Sequence, residues 1–269
     1  VSVRERRVSK SSSLLSLSLP CLAFFLGPSS RRISRTMAPR IAAILAVLCA
    51  GALAQGGTQG CQPHPTCNLD DLARCQSTFN KDIGIPQALD VKKYDQLQDA
   101  VESLIGTQGI DELGRVCYAL RSLKFCFTDP QHYDNCFFNP LGLVGDDQCQ
   151  ATGITEKQAR GYVRFYASLD FACGVGFSHY WNAEQTPTTI GCMSNVFANK
   201  LDDLRKCQDS FDTSVAADNM NACPYVSEAS KCYQRAFSKC IDQGQWFGCE
   251  YELVGLQAAY GNCGQDFCK

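Results

Sequence analysis

One short segment occurs twice in this chain. Residues 69–79 read LDDLARCQSTF and residues 201–211 read LDDLRKCQDSF, so seven of eleven positions are identical at an offset of 132 residues. In both copies two leucines lie three residues apart, a cysteine follows three residues later, and a phenylalanine follows four residues after that. This spacing predicts a helix with a sulfur atom on its buried face. The repeat therefore favours an all-α, disulfide-rich protein with two related halves of about four short helices each.

The region before the first copy has the features of a targeting segment. Residues 37–54 begin with Met37 and contain a short basic region, an apolar run and the small-x-small tripeptide Ala-Leu-Ala. This order is typical of a secretory signal peptide. We predict that residues 1–36 are a non-structural upstream leader and that the protein is secreted to the extracellular space. A membrane anchor is the alternative, but the apolar run is shorter than the about 20 residues that a spanning helix needs.

The rest of the chain divides at a polar stretch, residues 182–189. We predict a first cysteine-rich helical half at residues 55–181 and a second at residues 190–269. Thr155 and Gln158 have the spacing of a capping box, which predicts that a helix begins after Thr155. Residues 137–153 are rich in Gly, Asp, Asn and Pro and indicate a loop. The other predicted helices lie at residues 69–80, 91–105, 110–127, 194–211, 226–240 and 250–260.

Sixteen of the eighteen cysteines follow residue 54. An even number at this density in an exported chain predicts a disulfide framework without a free thiol. No two cysteines have the C-x-x-C spacing of redox and zinc sites, so we predict no metal and no cofactor. The predicted disulfide cysteines are Cys61, Cys67, Cys75, Cys117, Cys126, Cys136, Cys149, Cys173, Cys192, Cys207, Cys223, Cys232, Cys240, Cys249, Cys263 and Cys268.

The repeat also suggests which cysteines correspond. Two cysteines eight residues apart on one helix are separated by about 12 Å, whereas a disulfide needs Cα atoms within about 7 Å. Each helix with two cysteines should therefore be bonded to two different segments. An alternative alignment, which matches Cys173 to Cys263, stays open. The first alignment matches Cys75 to Cys207, Cys117 to Cys232, Cys126 to Cys240 and Cys136 to Cys249.

Charge and motifs exclude several classes of function. After residue 54 the chain has 17 basic and 26 acidic residues, a net charge of −9. Such a chain repels phosphate groups, so we predict no nucleic-acid partner, and no integral membrane association after signal cleavage. His132 and Asp134 resemble a phospholipase-like pair, but they are not adjacent. Ser178 and His179 lack the G-x-S-x-G context of a nucleophile. We predict a protein that is not an enzyme and has no catalytic residue, with a cryptic secreted hydrolase as an alternative.

Seven aromatic residues lie between positions 162 and 181. One helix cannot bury all of them on one face, so some must contact another helix, solvent or a ligand. We predict that Tyr162, Tyr166, Phe171 and Trp181 bind a small apolar ligand between helices. The alternative, that these rings are ordinary core, stays open.

A resemblance to a known family follows from the cysteines and their neighbours. The run of residues 169–173 (LDFAC), then Cys192, then residues 204–211 with Cys207, resembles the middle of the insect 27 kDa haemolymph glycoprotein family. The resemblance covers about residues 67–263. It implies a secreted, helical, haemolymph-type protein, and no activity is established for that family. The chain departs from the family name because it contains no Asn-x-Ser/Thr sequon, so N-glycosylation is not expected.

These observations together predict a secreted, non-enzymatic binding protein. Its expected partner is a small apolar ligand or another extracellular protein. The main alternative is a secreted defence or matrix protein that acts through contact with foreign or structural material.

Overall fold

The repeated segment forms a helix in the computed structural model, which describes residues 67–145, 152–218, 221–261, 263 and 268. Helix α1 spans Leu69–Ile83. Asn68 begins it, because its side chain accepts hydrogen bonds from the backbone N–H groups of Asp70 and Asp71. Gly84 ends it with a φ of 77°, a conformation that favours glycine. The predicted leader, the predicted signal peptide, Cys61 and Cys149 lie outside the described residues.

The described part of the chain contains eleven α-helices and no strand, which confirms the all-α prediction. A 3₁₀ turn at Val91–Lys93 precedes α2. The helices after α1 are α2 (Tyr94–Gln108), α3 (Ile110–Cys126), α4 (Pro130–Phe137), α5 (Pro140–Val144), α6 (Glu156–Cys173), α7 (Gly176–Gln185), α8 (Cys192–Asn199), α9 (Leu201–Ala217), α10 (Cys223–Ala236) and α11 (Asp242–Tyr260).

Several helices differ from the predictions. Helix α4, which contains His132, is not among the predicted helices; Asp129 caps it, and proline is tolerated in its first turn. Helix α5 lies within the predicted loop at residues 137–153. The predicted helix at residues 194–211 is two helices, α8 and α9, that meet at Lys200. The first half therefore holds more than the four helices expected for it.

Helix α6 lies at the centre of the molecule. Its N-terminus has the predicted capping box between Thr155 and Gln158. Its side chains are buried on nearly all sides from Ala159 to Ala172, as expected for a central helix. Its most extensive partner is α11, and Gly255 permits the close approach. A Cβ atom at Gly255 would lie 2.7 Å from the carbonyl oxygen of Arg164.

Helices from both sides of residues 182–189 share one hydrophobic core. The contact of α2 with α8 crosses this boundary, and a Cβ atom at Gly106 would lie 2.4 Å from the backbone nitrogen of Ala198. All described residues belong to one compact unit, Gly60–Lys269. Two halves with separate cores are therefore not confirmed.

Seven disulfides join the described cysteines and confirm a disulfide-rich protein. As expected from helix geometry, the two cysteines of α3 bond to different segments: Cys117 bonds to Cys173, and Cys126 bonds to Cys75. The seven pairs are Cys67–Cys136, Cys75–Cys126, Cys117–Cys173, Cys192–Cys240, Cys207–Cys232, Cys223–Cys263 and Cys249–Cys268.

Six cysteines on each side of residues 182–189 pair in the same order. The first bonds to the fifth, the second to the fourth and the third to the sixth, with Cys249–Cys268 as an additional pair. In this order the counterpart of Cys117 is Cys223. The spacing in the sequence had suggested Cys232 as its counterpart. It agrees with the alternative alignment of Cys173 with Cys263. The matched bonds are Cys67–Cys136 with Cys192–Cys240, Cys75–Cys126 with Cys207–Cys232, and Cys117–Cys173 with Cys223–Cys263.

The surface carries several large apolar side chains. Tyr118 and Phe125 on α3 are 73% and 82% exposed, and they lie seven residues apart on one face of the helix. Leu141, Val175 and Ile190 are also exposed. Among the helices described here, none has both the length and the apolarity to span a membrane.

Candidate ligand cleft

Two of the predicted ligand residues, Tyr162 and Tyr166, lie in the core. They are one turn apart on α6, and their ring centroids are 4.8 Å apart. Both hydroxyls donate to Oε1 of Gln76 on α1, at 2.5 and 2.6 Å. Phe137 contacts the ring of Tyr166 at 4.6 Å between centroids. These rings fill the space between α1, α4 and α6, which agrees with the core alternative that the sequence left open.

The other two predicted residues lie elsewhere. The ring centroid of Phe171 is 5.6 Å from that of Phe247 and 5.8 Å from that of Trp246, both on α11. Trp181 on α7 is 47% exposed. None of the four predicted residues lines the cleft described next or the second cavity described below. Their role in ligand binding stays a prediction.

A cleft does open between α6 and α9. It has a narrow inner pocket of about 140 Å³ and a wider outer groove of about 680 Å³. Five residues line both parts: Lys157, Arg160, Asp209, Asp212 and Tyr260. The inner pocket is also lined by Tyr94, Gln98, Arg164, Arg205 and Gln208. The outer groove is also lined by Val215 and Ala216, so it is less polar than the inner pocket.

The inner pocket rests on a buried ion pair. The guanidinium of Arg164 on α6 contacts the carboxylate of Glu252 on α11, with Nε 3.4 Å from Oε2 and a closer contact from Nη2. The two side chains are only 7% and 1% exposed. Nη1 of Arg164 lies 3.8 Å from the carboxylate of Asp212 in the cleft. Arg164 thus connects the buried interior with the cleft.

A second buried group lies beside the first. Nη2 of Arg205 is 2.6 Å from Oε2 of Glu102, a fully buried carboxylate, and its Nε is 2.6 Å from Asp99. The other oxygen of Glu102 accepts hydrogen bonds from the Tyr251 hydroxyl, at 2.9 Å, and from the Gln98 amide, at 2.8 Å. Four helices, α2, α6, α9 and α11, therefore contribute to one buried polar network.

The electrostatics of the network follow from its burial. Burial raises the pKa of Glu252, although Arg164 opposes that effect. Desolvation lowers the pKa of Arg164, but the charges of Glu252 and Asp212 and the hydrogen bond to Glu252 together outweigh it, and the pKa of Arg164 is raised. The buried Tyr233 hydroxyl has no hydrogen-bond partner among the described residues. Buried charges and unpaired polar groups at the end of a pocket are typical of functional sites.

Two tyrosines stand at the mouth of the inner pocket. Burial, and then the negative charge of Asp212, raises the pKa of Tyr94 and that of Tyr260 to about 12. The Tyr94 ring packs directly on Gly161, where a Cβ atom would lie 2.2 Å from its Cε2. The guanidinium of Arg160 lies 4.7 Å from the centroid of the Tyr260 ring. The cleft therefore offers aromatic surfaces beside charged groups.

The tyrosines predict alkaline unfolding. An unfolded tyrosine has a pKa of about 10, whereas that of folded Tyr94 and Tyr260 is about 12, and burial raises the pKa of Tyr162 and Tyr233 well above the ordinary value. Their contribution to stability is complete below pH 10 and is lost as the pH rises through 12. We expect tyrosinate absorbance and loss of helical circular dichroism to appear together above pH 10. Ionisation of all tyrosines at pH 10 in an intact helical protein would contradict this.

The sequence prediction missed the network. Glu102, Arg164 and Glu252 each lie next to apolar or aromatic residues within a helix. Gln98 and Glu102 are also four residues apart, on the buried face of α2. Polar residues on the apolar face of a predicted helix were the available signal.

The residues considered for hydrolysis do not form a catalytic cluster in the described structure. Nδ1 of His132 lies 3.8 Å from the carboxylate of Asp71. The Ser178 hydroxyl faces the carbonyl oxygen of Val175 at 3.5 Å, and the His179 ring lies against Trp246. The described residues contain no group of three or more His, Cys, Asp or Glu side chains that could hold a metal ion. That the protein is not an enzyme stays a prediction.

The comparisons with known proteins give no further assignment. The resemblance to the haemolymph glycoprotein family therefore stays a prediction based on cysteine spacing. Comparison with models of protein families, with curated proteins and with solved structures found no match to this chain.

Proposed function

We propose that this protein is a secreted, non-enzymatic binding protein that holds a small amphipathic ligand in the cleft between α6 and α9. The observation that carries this proposal is the inner pocket, which is lined by the buried side chain of Arg164 and the partly buried side chain of Arg205. Pockets with a few fixed polar groups and apolar walls are the usual form of small-molecule sites. The polar end of the ligand lies inward, and its apolar part lies along Val215 and Ala216.

Ligand binding explains the presence of the buried charges better than stability alone does. Removing two charges from water costs free energy that a buried ion pair recovers only in part, so apolar residues of similar volume are often as stable. Arg164 and Glu252 nevertheless occupy the interface of the two central helices. A fixed charge under a pocket can orient a ligand, which is a reason to retain it.

The location of the cleft changes the predicted ligand. The aromatic residues first expected to bind an apolar molecule are mostly core. The cleft has charged walls from Lys157, Arg160 and Asp209 beside the rings of Tyr94 and Tyr260. An apolar ligand alone would cover these charged groups and remove them from water without offering them a polar contact, which is unfavourable. The ligand is therefore amphipathic rather than purely apolar.

Secretion and an internal repeat are part of the same proposal. Seven disulfides suit an oxidising compartment, because thiols remain reduced in the cytosol of most cells. The identical order of pairing on the two sides of residues 182–189, together with the repeated segment, supports two related halves. The haemolymph-type family resemblance is consistent with an extracellular protein of this kind.

Ala216→Trp tests the cleft because it adds a large ring to the outer groove at an exposed position of α9. We expect at least about tenfold weaker binding of 1-anilinonaphthalene-8-sulfonate, a fluorescent amphipath with an anionic sulfonate and apolar rings, in a titration. Ala217→Trp is the matched control, since Ala217 is exposed on the same helix but does not line the groove.

The two variants make the result interpretable. Equal melting temperatures would show that neither substitution disturbs the fold. Native mass spectrometry of the secreted protein gives a second readout, in which a co-purified ligand is lost from Ala216→Trp and retained by Ala217→Trp. The proposal is wrong if the probe binds both variants and the unchanged protein equally, or binds none of them.

A second candidate function is interaction with another extracellular protein, as in a defence or matrix protein. The observation that favours it is the exposed pair Tyr118 and Phe125 on one face of α3. Large exposed rings on one helix face are found at protein–protein contacts. This surface is separate from the cleft, so the two functions do not exclude each other.

A further inference from the structure

A second cavity, of about 530 Å³, lies away from the cleft and shares no residue with it. It is formed by α7, α10 and the first turn of α11. Its volume is within the range of about 300–1,000 Å³ that is typical of small-molecule sites. The lining residues are His179, Gln234, Asp242, Gln243, Gln245 and Trp246.

The cavity has a fixed frame. Cys240 precedes the first turn of α11 and is bonded to Cys192 at the start of α8. Gly244 allows this turn to lie close to Cys240, because a Cβ atom at Gly244 would be 2.5 Å from Cβ of Cys240. The Trp246 indole is half-buried, and its centroid is 4.2 Å from that of His179. A ligand would thus meet an aromatic ring that is already held in place.

Polar groups around this ring are free to bind. Nδ1 of His179 is buried and has no hydrogen-bond partner among the described residues. The side chains of Gln234, Asp242 and Gln243 make no hydrogen bond or ion pair within the described structure. A ligand in the cavity therefore meets the three uncommitted side chains of Gln234, Asp242 and Gln243. The free groups all lie around one cavity.

The chemistry of the lining selects the ligand class. No lysine or arginine lines the cavity, so phosphate, sulfate and carboxylate ligands lack a counter-charge. Amide side chains donate and accept, a carboxylate accepts, and imidazole does either, which matches hydroxyl groups that also donate and accept. The indole supplies an apolar surface for the C–H face of a sugar ring.

We propose that this cavity is a carbohydrate site that binds a pyranose ring of an extracellular glycan. Trp246 carries the apolar face of the sugar. Gln234, Gln243 and Asp242 bind its hydroxyls. The site is separate from the cleft and does not depend on the amphipathic ligand proposed for it.

Tryptophan fluorescence tests this directly because the chain has only two tryptophans. In a Trp181→Phe background, Trp246 is the only tryptophan. Its emission should change saturably with at least one of four probes: the methyl glycosides of glucose, galactose, mannose and N-acetylglucosamine. Saturation-transfer NMR on the same samples reports binding independently of fluorescence. We expect dissociation constants in the millimolar range, as is usual for a single small polar ligand.

Variants assign the binding to this cavity. Gln234→Ala and Gln243→Ala should each weaken binding by about threefold to tenfold, since each removes hydrogen bonds to the sugar. Gln257→Ala, on α11 but outside the cavity, is the matched control and should bind as the unchanged protein does. The proposal is overturned if none of the four sugars gives a signal by either method, or if both cavity variants bind as tightly as Gln257→Ala. Ala216→Trp should leave sugar binding unchanged. A negative result for ligand binding in the cleft can therefore be distinguished from a negative result for sugar binding in this cavity.

Discussion

Arg164→Met is expected to lower the free energy of unfolding by about 3–5 kcal/mol, because it leaves the carboxylate of Glu252 buried without its partner. Glu252 is 1% exposed and has Arg164 as its closest positive group. Chemical denaturation of the oxidised protein, with helical circular dichroism as the signal, measures the change. The loss should shrink as the pH falls, since burial raises the pKa of Glu252 and the protonated carboxyl no longer needs a counter-charge.

Two variants isolate the cause. Lys206→Met breaks the exposed pair with Asp203, whose atoms lie 3.0 Å apart, and should change stability by less than about 1 kcal/mol. The double variant Arg164→Met with Glu252→Leu should recover most of the loss, because neither charge of this pair is then buried. If Arg164→Met lowered the free energy of unfolding no more than Lys206→Met does, Arg164 and Glu252 would not form the buried ion pair described above.

Complete reduction of the disulfides is expected to unfold the protein at neutral pH. Each disulfide contributes about 2–4 kcal/mol, so seven of them exceed the about 5–15 kcal/mol by which a typical protein of this size is stable. Reduction followed by alkylation should abolish the cooperative thermal transition and most of the helical circular dichroism. The short helices would then depend on packing alone.

The control is the same chain alkylated without reduction, which should keep its transition unchanged. A reduced and alkylated chain that still melts cooperatively, within a few degrees of the oxidised chain, would show that the core is sufficient without the disulfides.

Much of the helical fold could be predicted from the sequence because its signals are local. The spacing in residues 69–79 predicted α1, and Thr155 with Gln158 predicted the start of α6, since a capping box needs only neighbouring residues. Helices α5 and α7 were missed because they begin at Pro140 and Gly176, residues that usually indicate turns. A proline occurs both in turns and in the first turn of a helix, so Pro140 alone does not distinguish a loop from the start of α5.

The disulfide pairing could not be predicted because it depends on distances between helices. Intervals in the sequence matched Cys117 to Cys232, since tyrosine follows both. In the structure Cys232 bonds to Cys207, as Cys126 bonds to Cys75. Sequence intervals do not contain this information, and many pairings are compatible with one set of cysteines.

The cleft was missed for a related reason. Arg164 and Glu252 are 88 residues apart, and Arg205 and Glu102 are 103 residues apart. Charged residues in helices are usually solvent-exposed. Their apolar neighbours in the sequence were a local signal of burial, but nothing local indicates which of these charged residues pair with each other. Aromatic residues attract attention in a sequence, but Tyr162 and Tyr166 serve mainly to fill the core and to bind Gln76.

The most direct measurement is the identification of disulfide-linked peptides from the unreduced protein by mass spectrometry. The cleft and the sugar site both depend on helices that these bonds hold in place. We predict linked peptides that contain Cys117 with Cys173, Cys207 with Cys232, and Cys192 with Cys240. Peptides that link Cys207 to Cys240, or free thiols at several of these positions, would contradict the fold and the sites built on it.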